Sequence, residues 1–175
     1  PNNDPRDPRS PEARRADTVE CLKALRPLFE RSGRLGYVEP LGFGESSLSS
    51  LAVGAAVLRE VGGSCYRLVW DTFHHYLGPD SAEVLGNPLH VAQLGLVHVS
   101  AVEAEKPAGG YRDEHRLLPS RADRMGSGEQ IARLVKLGYR GPISIEPFSP
   151  AVLNLGAEAL RAALKQSVEY LKTAG

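Results

Sequence analysis

The sequence predicts an α/β fold in which parallel strands alternate with amphipathic helices. Three observations support this. Four short apolar runs are each followed by a stretch with helical spacing. Within the runs, apolar residues sit at consecutive rather than alternate positions, the pattern of parallel strands buried on both faces. The composition, 42% hydrophobic and 24% charged over 175 residues, suffices for one substantial core.

The elements follow in order. After a polar, Pro-rich start (Pro1 to Arg15), Asp17 and Glu20 form a capping box for a first helix, with Val19, Leu22, Leu25, Leu28 and Phe29 on one face and Gly33 as its stop. Leu35 to Glu39 reads as a buried strand ended by Pro40, and Ser47 to Glu60 as a helix with Leu48, Leu51, Ala55 and Leu58 on a stripe. Tyr66 to Asp71 is the second strand. Asn87-Pro88 is an N-cap with Pro at the first helical position, opening a short helix to Leu94. Leu94 to Val99 is the third strand, and the polar stretch from Glu103 to Arg124 is too long for a routine connection. Ser127 and Gln130 can cap a helix through Leu137. Pro142 to Glu146 is the fourth strand, and Gly156 to Leu171 a last amphipathic helix.

A doubly wound sheet and a barrel both fit this alternation. The first two strand-to-strand intervals are close to the roughly 31 residues of a barrel unit, and the third carries the long polar stretch. Four parallel strands leave two bare sheet edges, so the expectation is that further sequence or a partner completes the fold. Lys plus Arg and Asp plus Glu both number 21, giving a formal net charge of zero. That balance argues against a nucleic-acid partner and against an anionic membrane surface. No apolar run has transmembrane length, and no segment has the pattern of a signal peptide, so the expected location is the cytoplasm. Cys21 and Cys65 lack metal-type spacing and read as reduced, buried thiols.

The informative feature is what ends each strand: Glu39, Asp71, His98 and Glu146 stand at or near the C-terminal ends of the four runs. Any one of them alone is as well read as a helix cap, a salt-bridge partner or a core histidine. A carboxylate at the end of an apolar strand costs desolvation energy unless it is paired or bound to a cation. Parallel strands bring their C-terminal ends to one side of a sheet, so the four converge. Three carboxylates and one imidazole suit one divalent ion: Mn, Zn, Mg or Co. His74 follows Asp71 closely enough to reach the same pocket, although His75 could point inward instead.

The segments YVEPLGF, LVWDTFHHYLG, LVHVSAVE, GGYRDEHRLLP and ISIEPFSP resemble those of the xylose-isomerase-like TIM-barrel sugar isomerases and epimerases. Within that family the pattern is most like inosose (2-keto-myo-inositol) isomerase. The resemblance runs from Asp17 to the end. It implies that the chain, as one domain over residues 1–175, is the C-terminal half of a (β/α)8 barrel, strands five to eight, with the N-terminal part absent. It implies metal ligands at Glu39, Asp71, His98 and Glu146, acid–base catalysis by Glu39 and Glu146, and substrate contacts from His74 and Arg116. Two segments depart from the family pattern. Ser100 and Ala101 replace an acidic residue that commonly follows the third-run histidine, and Met125 to Gly128 replaces Pro-Gly-x-Gly.

The expected reaction is isomerisation or epimerisation of a ketose or inosose-type polyol, in carbohydrate or inositol catabolism, through an enediolate. The expected partner is that small molecule, with homo-oligomerisation left open. The alternatives are a dehydratase of the 3-dehydroshikimate type, which usually carries an amide where His98 stands, and an endonuclease-like hydrolase. The latter uses several more histidines and a basic DNA-facing surface, which five histidines and zero net charge disfavour. Trp70 and Phe73 can wall the pocket or pack the core, and Glu103 to Arg124 is expected to be a loop over the site.

Overall fold

A computed structural model describes residues 1–174 except Asn87, Pro88 and Ala108. The described elements, in order, are α1 (Pro11–Ser32), β1 (Gly36–Val38), α2 (Leu51–Val61), β2 (Tyr66–Asp71), α3 (Thr72–Leu77), β3 (Leu94–Val99), α4 (Ser127–Lys136), β4 (Ile143–Ile145), α5 (Pro150–Leu153) and α6 (Ala157–Thr173). The strands form one sheet in the order β1-β2-β3-β4, every pair parallel. All four predicted strands are present, the outer two shorter than expected.

The register decides what each face carries. Val38 pairs with Leu68, Asp71 with His98, and Val97, His98 and Val99 with Ile143, Ser144 and Ile145. One face therefore presents Leu68, Trp70, Val97 and Val99 to the helices. The other presents Tyr37, Arg67, Val69, Leu96 and Ser144 and ends in the four residues of interest. Leu68, Trp70, Val97 and Val99 are buried against Leu51, Ala55 and Val57 of α2 and Ile131 and Leu134 of α4. Burying an aliphatic side chain of this size stabilises by roughly 1.5–3 kcal/mol. A register shift between Leu68 and Val69 sits beside Gly95, where a Cβ would collide with Tyr37 and Arg67. β1 and β4 each have one strand neighbour among the described residues, and Tyr37 and Ile143 beside those edges are 47% and 41% exposed.

Several boundaries differ from the sequence reading. α1 begins at Pro11, because the Ser10 side chain accepts from the Ala13 N–H and Pro11 fits the first turn. Asp17 lies inside that helix and pairs with Arg9 at 3.2 Å. α2 begins at Leu51, where Asp80 Oδ2 accepts the Leu51 N–H at 2.6 Å beside the Ser50 cap. The expected helix from Asn87 falls partly outside the described residues; the described part is a single 3-10 turn, Val91–Gln93. Cys65 is buried but Cys21 is exposed. No described helix is long and apolar enough to cross a membrane.

The start of α4 is held from a distance. Gly126 occupies the cap position with φ +62° and no side-chain bond. Asp123 does the capping instead. It accepts the Val102 N–H (3.0 Å) and the Met125 N–H (3.2 Å) on Oδ1, and the Ser127 N–H (2.8 Å) and hydroxyl (2.5 Å) on Oδ2. Gln130, expected to cap, accepts from Trp70 Nε1 at 3.0 Å and donates to the Thr72 and Met125 carbonyls. Asp123→Ala removes all four bonds, so it should destabilise by about 2 kcal/mol, the upper range for a lost cap. Urea unfolding measures this, and a change within about 0.5 kcal/mol, typical of a surface substitution, would contradict it.

Candidate metal centre

The four strand-end residues meet. Ligand-capable atoms of Glu39, Asp71, His98 and Glu146 all lie within 4.8 Å of one another. His98 Nδ1 is 2.8 Å from Glu39 Oε1, 3.3 Å from Glu146 Oε2 and 3.9 Å from Asp71 Oδ2. Asp71 and His98 are side by side because β2 and β3 pair at those residues. Glu39 directly follows β1 and Glu146 follows β4, with the Glu146 N–H still bonded to the Val99 carbonyl at 2.9 Å. The outer strands thus carry the glutamates and the inner strands carry Asp71 and His98.

Asp71 is at once a helix cap and an ion-pair partner. Its Oδ1 accepts the N–H groups of Phe73 (2.7 Å) and His74 (3.0 Å) at the start of α3, and its Oδ2 accepts from Arg116 Nη2 at 2.5 Å. The same Nη2 donates to Glu146 Oε2 at 2.7 Å. Arg116 Nε donates to Ser100 Oγ at 3.2 Å and Nη1 to Asp113 Oδ1 at 3.4 Å. Arg116 is only 1% exposed, and its guanidinium carbon lies 5.1 Å from the Phe73 ring centre and 5.0 Å from that of Phe148. Its main chain is fixed too: the Arg116 carbonyl accepts from Phe148 and Ser149, and Leu117 pairs with Ala101. The base of the 103–124 stretch is therefore locked to the rim of the sheet.

The charges shift one another. The Glu39 hydrogen bond raises the His98 imidazole above its ordinary range against an opposing burial effect, and the charges of Glu39, Glu146 and Asp71 act in the same direction. Burial lifts the Glu146 carboxyl, and nearby Glu39 and Asp71 add to this against Arg116 and His98. Burial works against the charge of Arg116, but Asp71, Glu146 and Asp113 outweigh it. His74 is buried and burial lowers its imidazole below the usual range. Its Nδ1 is sealed from solvent without a partner among the described residues. His75 turns away and packs on Trp70 with ring centres 4.2 Å apart. Trp70 belongs to the main core, and Phe73 to a second cluster with Phe43, Val102, Tyr111 and Met125.

A divalent ion fits this donor set. Three carboxylate oxygens and one imidazole nitrogen converge from separate elements, their side chains are partly or fully buried, and Asp71 is already oriented by the main chain. The sequence did not reveal the contacts made by Ser100 and Phe148, because both reach Arg116 across the fold. It did not reveal Gly42 either. A Cβ on Gly42 would fall on the His74 carbonyl and crowd the Gly78 N–H, which closes α3. Gly42→Ala should therefore push back the helix that carries His74 and destabilise by about 2 kcal/mol, as overpacking does. A thermal melt tests this, with an unchanged Tm as the contrary result.

The family model described as xylose isomerase-like TIM barrel matches residues 1–174. The chain is 25% identical over 156 residues to an inosose isomerase of Halalkalibacterium halodurans, covering 86% of this chain and 54% of that protein. A solved xylose isomerase domain containing protein of Salmonella typhimurium LT2 superposes with a TM-score of 0.87 at 36% identity, covering 99% of this chain and 61% of that one. The structure of an IolI protein with a bound zinc atom gives a TM-score of 0.82 at 21% identity, covering 95% of this chain and 59% of that one. The chain thus spans little more than half the length of these relatives. Matched along nearly all of its residues, it belongs to the xylose isomerase-like TIM-barrel family.

Proposed function

We propose that this chain forms strands five to eight of a barrel that isomerises or epimerises an unphosphorylated ketose or inosose-type polyol, with one divalent ion held by Glu39, Asp71, His98 and Glu146. The observation that carries the reading is the convergence of three carboxylates and one imidazole at the C-terminal rim of a parallel sheet. Similarity to an inosose isomerase supports the reaction class.

Bound there, the ion would supply positive charge opposite the negative charge that develops on the substrate's carbonyl oxygen. The chain supplies the proton movements and the positioning. Glu39 and Glu146 stand on the outer strands with His98 between them, so they approach the substrate from two sides. One removes the proton from the carbon beside the carbonyl; the other, or the same one, returns it to the neighbouring carbon or the opposite face. His74, buried beside Asp71, supplies a hydrogen bond to the oxygen where negative charge develops. The one cation among these contacts, Arg116, already has hydrogen bonds from Nε and both terminal nitrogens, which fits an uncharged polyol better than a phosphate ester.

The test is to incubate the metal-loaded protein with an inosose or a ketose in heavy water and follow deuterium by mass spectrometry. Deuterium should enter at the carbon beside the carbonyl, and Glu146→Gln should slow that exchange by at least about 100-fold, the lower range for losing a general acid–base group. Loss of water to an unsaturated product, with no isomer formed, would replace this reading with the dehydratase.

A further inference from the structure

The guanidinium at the rim is placed as a counter-charge to the carboxylates, with little left to offer a ligand. Four of its five N–H groups are engaged, by Ser100, Asp113, Asp71 and Glu146. With 1% of its surface exposed and two aromatic rings against its guanidinium, it presents almost nothing to an incoming molecule. Its Nη2 bonds to Asp71 Oδ2 and Glu146 Oε2, the two oxygens that also approach His98 Nδ1, at 3.9 and 3.3 Å. Arg116 and His98 therefore meet on the same two carboxylate oxygens.

We propose that Arg116 is a positioning residue: a resident counter-cation that holds Asp71 and Glu146 together before a metal arrives and moderates the affinity of the site for it. The inference rests on the four-ligand reading above. Arg116 is the cation that answers the ligand-capable carboxylates Asp71 and Glu146, and without it these two would face each other uncompensated. A unit positive charge this close to a divalent ion opposes its binding by far more than tenfold, even at a surface-like dielectric. The preorganisation that Arg116 gives the two carboxylates offsets part of that effect.

The sign of the effect separates this role from a structural one. If Arg116 only shaped the site, removing it would weaken metal binding. As a counter-cation, its removal strengthens binding and destabilises the metal-free fold, in which Asp71 is buried. The experiment is Mn2+ titration by calorimetry at pH 8, with melts of the metal-free and Mn2+-loaded protein, for the wild type, Arg116→Gln and Arg116→Lys. Arg116→Gln should bind Mn2+ about tenfold more tightly, melt lower than the wild type without metal, and gain more Tm on loading. Arg116→Lys keeps the charge but loses the fork, and should stay within about threefold of the wild type. Equal or weaker Mn2+ binding by Arg116→Gln overturns the proposal. Should that variant not fold without metal, a tenfold departure of Arg116→Lys in either direction overturns it. A wild type that binds no Mn2+ would overturn the four-ligand reading and this inference with it. Mn2+ binding by the wild type without the gain in Arg116→Gln would overturn this inference alone.

Discussion

Like-charge repulsion among Glu39, Asp71 and Glu146 is the constraint around which the C-terminal rim of the sheet is arranged. The three carboxylates come within 4 Å of one imidazole nitrogen, in a place where water is partly excluded. Each is answered by hydrogen bonds. Asp71 receives two main-chain N–H groups from α3 and the guanidinium of Arg116, Glu146 shares that guanidinium, and Glu39 takes His98. Arg116 comes from the stretch between β3 and α4, so the path of that stretch is tied to the charge balance. Its carbonyl then anchors Phe148 and Ser149, the latter the cap of α5. One ion-pair network thus organises α3, the 103–124 stretch and the segment after β4.

The sheet makes this arrangement possible and is insulated from it. Among the described residues, the helix-facing side chains of Leu68, Trp70, Val97 and Val99 are packed without polar partners, apart from Trp70 Nε1 on Gln130. Alternation along each strand sends every second residue to the opposite face, and that face ends in the acid cluster. A one-residue slip of β3 against β2 would move His98 to the helix side and separate it from Asp71. The apolar packing therefore fixes the register, and the register brings the ligand-capable residues together.

Much of this was legible in the sequence, because it depends on local pattern. The apolar runs gave the strands, and charged residues at their ends gave the cluster, since parallel topology alone makes such ends converge. What was hidden depends on contacts distant in sequence. Asp17 followed by Glu20 offered a good capping box, but Ser10 before Pro11 caps a longer helix that the Pro-rich start disguised. Ser127 and Gln130 looked like a cap, yet Asp123 from outside the helix took the N–H and left Gln130 for Trp70. Arg116 reads as a polar loop residue expected to meet substrate. Its burial against Phe73 and Phe148 follows from chain segments more than thirty residues apart and has no local signature. His74 and His75 could not be told apart by spacing. Adjacent helical positions point about 100° apart, so one ring stays beside Asp71 while the other packs on Trp70.

The departures from the family pattern fit the same charge logic. Ser100 stands where an acidic residue commonly follows the histidine, and here its hydroxyl accepts from Arg116 Nε while the residue is fully buried. A carboxylate at that position would compete with Asp71 and Glu146 for the one guanidinium and add a further negative charge to a cluster that already holds three. A hydroxyl satisfies the Nε–H without adding charge, and leaves Nη2 to the carboxylates that face His98. The hydroxyl at residue 100 and the hydrogen bonding of Arg116 are therefore two parts of one solution, in which Nη2 is kept for the two carboxylates that face His98.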